Sequence, residues 1–247
     1  MNTSATPALL IDTVSLSYGE KLALDRISFT VSPGECVILL GPNGAGKTSL
    51  FSLITRLYDT RAGFIEIAGF NLKRHSTKAL GRLGVVFQQP TLDMDLSVES
   101  NLLYHADLHG LGRKYATSRI QEELERQNMF ERRHEKAREL NGGHRRRVEI
   151  ARALMHKPDV LLLDEPTVGL DMPSRKAIVE YVHQLCAEKK IAVLWATHLV
   201  DEVFATDQLI ILHKGTIRYQ GSVPQLLEQS NTPTIASAFQ QLTQEGK

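Results

Sequence analysis

The stretch CVILLGPNGAGKT, residues 36–48, decides the fold. Residues 36–40 form a short continuous apolar run, the pattern of a strand covered on both faces. The run ends at Gly41, and Gly41, Pro42, Asn43, Gly44, Ala45, Gly46, Lys47 and Thr48 fit the phosphate-loop pattern GxxxxGK[ST]. Glycines are needed there because backbone amides must approach phosphate oxygens with no side chain between them. Lys47 supplies the cation for the β- and γ-phosphates, Thr48 a hydroxyl for Mg²⁺, and Ser49 is a further nucleotide-binding position. A helix is expected from Lys47 to about Leu57, with Leu50, Phe51, Ile54 and Leu57 on one face and its positive end toward the anion.

Further along, VLLLDEP at 160–166 is an apolar strand ending in two acids. Asp164 is placed to hold Mg²⁺ through water, and Glu165 to polarise an attacking water as base or positioner. The two motifs together describe an α/β P-loop NTPase with a RecA-like core. No NKxD stretch for guanine recognition is present.

Around these motifs the patterning divides the chain. Residues 10–18 alternate imperfectly and 27–31 cleanly, so antiparallel strands are expected before the phosphate loop. Residues 64–67 and 84–87 read as further strands. From 92 to about 156 the pattern turns helical, with helices over 98–108 and 117–129 and a third opened by Asn141-Gly142-Gly143. Strand character returns at 160–163, 191–196 and 209–212, with a helix over 174–186 between. His213-Lys214-Gly215 turns the chain into a closing strand at 217–219. The tail after Pro233 is polar and is expected to be loosely ordered.

Composition excludes several classes. Lys plus Arg number 29 and Asp plus Glu 28, a formal net charge of +1, so the strongly basic balance of a nucleic-acid binder is missing and no nucleic-acid partner is expected. The run Arg145-Arg146-Arg147 reads as a solvated helix face. Cys36 and Cys186 lack metal-ligand spacing and read as small buried residues of a reducing compartment. Residues 1–10 carry no signal-peptide pattern, and the apolar runs are too short to span a bilayer.

Leu140-Asn141-Gly142-Gly143-His144, followed by Arg145-Arg146-Arg147 and Ala151-Arg152-Ala153-Leu154 ahead of the 160–166 motif, resembles the signature LSGGQ of the ATP-binding cassette (ABC) family. Tyr18 matches the aromatic that stacks on adenine, and Gln88 the glutamine that senses Mg²⁺ and water. Gly169-Leu170-Asp171 matches the D-loop and His198 the switch histidine. The resemblance runs from residue 8 to about 230. It implies an ABC ATP-binding domain over 8–240, with its core at 8–88 and 157–220, an N-terminal antiparallel β subdomain, an all-helical insertion over about 89–156, and a tail at 221–247. It also implies ATP and Mg²⁺ as ligands. Glu165, His198 and Gln88 would be catalytic; Thr48, Gln88 and Asp164 would hold metal. Asn141, Gly142, Gly143, His144 and Asp171 would close over ATP bound to a second subunit, in a homodimer or a pair with a close relative. A membrane permease would receive the segment from Pro90 to about Tyr104, with Leu92 and Met94 as exposed apolar positions, and would hold the chain peripherally on the cytoplasmic face of the cell membrane. Residues 91–106 resemble subunits of the exporter-like group; LNGGHRRRVEIARAL more narrowly resembles a set associated with PQQ-dependent alcohol oxidation. The alternative is a soluble ABC ATPase of macromolecular assembly, such as iron–sulfur cluster biogenesis. The signature departs from the usual pattern: Asn141 stands where serine is usual and His144 where glutamine is usual. Since an Asn amide also donates hydrogen bonds, retained but slower hydrolysis is expected.

Overall fold

A computed structural model describes residues 6–60 and 62–244; residues 1–5 of the N-terminal stretch and 245–247 of the tail lie outside them. β1 (Leu9–Tyr18) and β2 (Lys21–Val31) pair antiparallel. The imperfect alternation of β1 has a local cause. Thr13 takes φ 50°, its amide donating to Ser28 Oγ at 2.8 Å, and the register shifts between Ile11 and Val14. This bulge lets Ile11 and Val14 both point inward. β3 (Cys36–Leu40) follows, then α1 (Lys47–Ile54), β4 (Ala62–Ile67), β5 (Phe70–Asn71), α2 (Ser76–Leu80) and β6 (Leu83–Val86). β2, β1, β4 and β5 form one antiparallel sheet.

Next come α3 (Val98–Leu108), α4 (Arg113–Arg126) and α5 (Gly142–Leu154), and then β7 (Val160–Asp164), α6 (Met172–Lys189), β8 (Ala192–Thr197), β9 (Gln208–His213) and β10 (Thr216–Ser222). The chain closes with α7 (Val223–Ser230) and α8 (Ile235–Thr243). The second sheet has the order β10-β9-β3-β8-β7-β6, parallel except for β10.

β3 shows why the sheet reads as continuous apolar runs. Val37 and Leu39 enter the core shared with α1 and the antiparallel sheet; Cys36, Ile38 and Leu40 enter the core under α6. A third core joins α3, α4 and the outer face of α5. α5 therefore belongs to two cores at once, with Ile150, Ala153 and Leu154 on the sheet side and Val148, Ala151 and Met155 on the helical side. Both cysteines are buried and unbridged. Among the described residues no helix is long and apolar enough to cross a membrane.

Five expectations need correction. α1 stops at Ile54 because Arg56 turns to φ 58°, leaving Leu57 two-thirds exposed. α4 starts earlier, at Arg113, and stops before Asn128 at φ 54°; its apolar stripe is Ala116, Ile120 and Leu124. The tail is not loose: α8 lays Ile235, Ala238, Phe239 and Leu242 on the core beneath the sheet. Leu92 and Met94 pack into the helical core instead of standing free. Arg146 is 6% exposed, so the arginine run is not a uniformly solvated face.

Candidate active site

The 41–46 loop wraps from the end of β3 to the start of α1. Gly44 and Gly46 take φ of 80° and 113°, a region that side chains with a Cβ resist. A Cβ on Gly41 would lie 2.6 Å from the Leu212 carbonyl oxygen. Gly46 is the N-cap of α1, and no side chain caps that helix. The first-turn residues Lys47, Thr48 and Ser49 line a cavity of about 680 Å³. Uncapped amides at the positive end of a helix are an anion site.

Three side chains converge on one carboxylate. Lys47 Nζ stands 3.3 Å from Glu165 Oε1 and donates to the Gly41 carbonyl at 2.7 Å. Gln88 Nε2 donates to Glu165 Oε2 at 3.1 Å, and His198 Nδ1 lies 3.1 Å from Oε1. Lys47 and Glu165 are both buried. Glu165 has φ 48°, and its amide donates to the Ala196 carbonyl on β8. A left-handed non-glycine residue costs roughly 1–2 kcal/mol, and such strain persists where surrounding structure imposes it, commonly at functional sites. Asp164 ends β7, also buried; burial and then the Glu165 charge push its carboxyl up to about 6, against Lys47 and Arg146. Tyr18, at the end of β1, is 42% exposed on the cavity lining, with its hydroxyl 3.4 Å from Ser49 Oγ and its ring edge-on to Tyr58.

Asn141, Gly142, Gly143, His144 and Asp171 do not line this cavity. They cluster instead at two neighbouring helix starts. Asn141 caps α5, its Oδ1 accepting the His144 amide at 2.8 Å; Asp171 caps α6, its Oδ1 accepting the Ser174 amide at 2.8 Å. A Cβ on Gly143 would lie 2.5 Å from Ser174 Oγ, so only glycine permits that approach. The Arg132 guanidinium donates to His144 Nδ1 at 2.6 Å, which leaves Nε2 to carry the proton. Burial, then Arg132 and Arg147, lower the pKa of His144.

Two groups at the site are not legible in the sequence. Lys21, Leu22, Ala23, Lys214 and Gly215 also line the cavity. The 213–215 turn is legible as a turn, but not that Gly215 stitches two loops together. Its amide donates to the Ala45 carbonyl, its carbonyl accepts from Asp25, and a Cβ there would lie 2.5 Å from Ala23 O. The second group is a clamp on the Gln88 segment. Arg146 donates to the Phe87 and Gln88 carbonyls at 2.6 and 2.9 Å and to Glu149 at 2.8 Å. Glu149 accepts the Thr91 amide at 2.6 Å, and Arg152 donates to the Thr91 carbonyl at 2.8 Å.

A family model described as "ABC transporter" matches residues 24–168. The chain is 36% identical over 228 residues to the linearmycin resistance ATP-binding protein LnrL of Bacillus subtilis (strain 168), covering 92% of this chain and 73% of that protein. It is 40% identical over 195 residues to the Nod factor export ATP-binding protein I of Paraburkholderia xenovorans (strain LB400), covering 79% and 64%. Among solved structures, it superposes with TM-score 0.77 and 25% identity on the dimeric post-hydrolysis state of the ATP-binding cassette MJ0796 bound to ADP and Pi, covering 87% of this chain and 98% of that one.

Proposed function

The chain belongs to the ABC transporter family as an ATP-binding, ATP-hydrolysing subunit that powers transport, and on that premise we propose how its residues divide the work. The relatives' names, resistance and export, favour a transporter over the iron–sulfur alternative. Tyr18 stacks on adenine, and Gly41, Pro42, Asn43, Gly44, Ala45 and Gly46 cradle the phosphates with Lys47, Thr48 and Ser49. Thr48, Gln88 and Asp164 hold Mg²⁺; the clustering of two buried acids beside a hydroxyl and an amide suits a hard dication with oxygen ligands. When bound, that ion neutralises charge developing on the phosphates.

The observation that carries the reading is the grip on Glu165. Lys47 is shared between the Gly41 carbonyl and Glu165. Arriving phosphates compete for that cation and draw it off the carboxylate. Glu165, still oriented by Gln88 and His198, is then free to accept a proton from water or to align it. Closure needs a second copy or a close relative, because the start of α5 lies outside the cavity its own chain builds. Through Arg146, Glu149 and Arg152, movement of α5 carries the 87–91 segment with it. That coupling would reach a permease docked beside the helical lobe, which holds the chain on the cytoplasmic face of the membrane. Exposed apolar side chains there include Leu57, Tyr104 and Leu108, which replace Leu92 and Met94 as docking positions.

Glu165→Gln is the test. It keeps the Gln88 contact but removes the charge that polarises water, so turnover should fall by about 10²–10⁴-fold. ATP binding should survive, and light scattering should show monomer without nucleotide and dimer with ATP. A variant that turns over at the wild-type rate removes Glu165 from the chemistry. One that binds ATP and stays monomeric removes the pairing of two copies.

A further inference from the structure

Two groups of metal-capable side chains lie away from the nucleotide cavity among the described residues: Cys36 with His183 and Asp207, and His105 with His109 and His156. Hydrogen-bond chemistry separates them. His183 Nδ1 lies 2.8 Å from the Val179 carbonyl oxygen and Nε2 lies 2.8 Å from Asp207 Oδ1. A carbonyl and a carboxylate only accept, so both ring nitrogens carry protons and neither has a lone pair for a metal. That cluster is an ion pair.

The histidine cluster is built the other way. His156 Nε2 lies 3.1 Å from the Leu83 carbonyl oxygen. Nε2 therefore holds the proton, and Nδ1 presents a bare lone pair. This Nδ1 and His105 Nε2 are both buried with no hydrogen-bond partner among the described residues. Orphaning a buried polar atom costs about 1–3 kcal/mol, so two together in one cavity call for a ligand. A histidine anchored on a backbone carbonyl through one nitrogen, with the other aimed into a cavity, is how proteins orient metal ligands.

The placement supports the same conclusion. His105 and His109 are one helical turn apart at the end of α3, on one face. His156 follows α5, and its ring stacks on that of His109 at 3.9 Å between centroids; His105 lies 4.6 Å from His109 and 5.8 Å from His156. The ligating atoms all fall within 4.8 Å of one another. A tetrahedral zinc ion with Zn–N bonds of about 2.0–2.1 Å needs its nitrogens roughly 3.4 Å apart, so the His105 and His109 rings must turn to close on the ion. The surrounding cavity of about 440 Å³ has no carboxylate among its lining residues. Arg152, the cation on its wall, is turned onto Thr91. An all-imidazole donor set selects against Mg²⁺ and Ca²⁺, which take oxygen.

We propose that His105, His109 and His156 form a binding site for one divalent transition metal of the zinc type, with a fourth coordination position open to the cavity. Bound there, the metal ties α3 to the end of α5 and, through His156, to β6. It would brace the helical lobe against the sheet beside the clamped 87–91 segment.

The test uses the full chain, freed of metal by chelation, untagged and without nucleotide, in excess Mg²⁺ to occupy oxygen sites. Titration with Co²⁺ should give visible ligand-field bands that saturate at one ion per chain and are abolished by Zn²⁺. Zn²⁺ should also raise the melting temperature. His109→Ala and His105→Gln should each weaken binding by more than ~100-fold, beyond the 10–100-fold that loss of an outer partner costs. Their metal-free melting should stay near wild type; if His105→Gln does not fold, His109→Ala, at the helix end, decides alone. His183→Gln should bind Co²⁺ as wild type does. The proposal is overturned if the wild-type chain binds no Co²⁺, if His109→Ala binds it unchanged, or if His183→Gln abolishes the bands.

Discussion

The starts of α1 and α5 are both glycine-rich helix N-termini, yet they are finished differently. α1 begins behind Gly46 with no side chain on its first-turn amides, which line a cavity with Lys47 beside them. α5 begins behind Asn141, whose own Oδ1 already satisfies the His144 amide. The first is a concave cradle that completes itself when an anion enters. The second is a capped edge, stable without a ligand, that still offers the Asn141 Nδ2 donor and the amides of Gly142 and Gly143. A cradle binds in its own chain; an edge contributes only when something is brought against it. On the proposed pairing, the difference teaches why one chain would bind nucleotide and a second would be needed to close over it.

The sharpest way to break this contrast is to disable the cradle alone. Lys47→Ala removes the cation proposed to reach the phosphates while leaving the α5 edge untouched. By analogy with deleting one preorganised charge-stabilising donor, hydrolysis should drop by at least ~10²–10³-fold, with nucleotide affinity falling alongside. Phosphate release and equilibrium binding of ATP check it. If both stay at wild-type values, the cradle is not the phosphate site and the contrast has no basis.

The next perturbation cuts the link between the two regions. Arg146→Ala leaves Glu149 as an unpaired charge that is 2% exposed, which typically costs about 3–5 kcal/mol. It also frees the Phe87 and Gln88 carbonyls. Urea unfolding should show the stability loss. Replacing both partners, as Arg146→Met with Glu149→Leu, should recover much of that stability, because no lone buried charge remains. Hydrolysis should stay depressed in the double variant, since Gln88 is no longer anchored to α5. Recovery of turnover together with stability would mean that the clamp only holds the fold.

The cradle was legible in the sequence because its determinants are local: an apolar strand, glycines at fixed spacing and a lysine within one loop. Glu165 could be assigned from the strand that ends just before it. Gln88 and His198 were legible only through family resemblance, since nothing near either residue says that a carboxylate from another strand will meet it. The clamp was hidden for the same reason. Three successive arginines point in three directions around a helix, and which one is buried depends on where α5 crosses the 87–91 segment, a non-local fact. α8 differs, because its signal was present. Ile235, Phe239 and Leu242 recur at helical spacing, but the polar residues between them and Pro233 just before outweighed that stripe. Where α1 ends was not legible, since the apolar Leu57 continues the pattern that Arg56 breaks in the backbone.

The smallest effect lies at the edge itself, and it sharpens the contrast by separating capping from recognition. Asn141→Ala should cost about 1 kcal/mol through loss of the α5 cap and should also lower turnover, because the Nδ2 donor goes with it. Asn141→Ser with His144→Gln should keep the cap within a few tenths of that figure, since serine caps about as well as asparagine. It also replaces both unusual residues by hydrogen-bonding ones of the usual pattern, so hydrolysis should hold or rise. The double variant has a pH signature too. Burial, then Arg132 and Arg147, hold the folded-state pKa of His144 below its unfolded value of about 6.5. The neutral ring's contribution is thus complete above that value and is lost as the pH falls from about 6.5 toward the folded pKa, where the unfolded chain takes up a proton that the folded chain refuses. Glutamine does not titrate, so the variant's stability should fall less than the wild type's between about pH 7 and pH 5. Urea unfolding across that range, with ATPase assays at neutral pH, reads both effects. A variant that keeps its stability but loses all turnover would show that Asn141 and His144 make a contact serine and glutamine cannot, and that this edge is matched to a partner surface of its own.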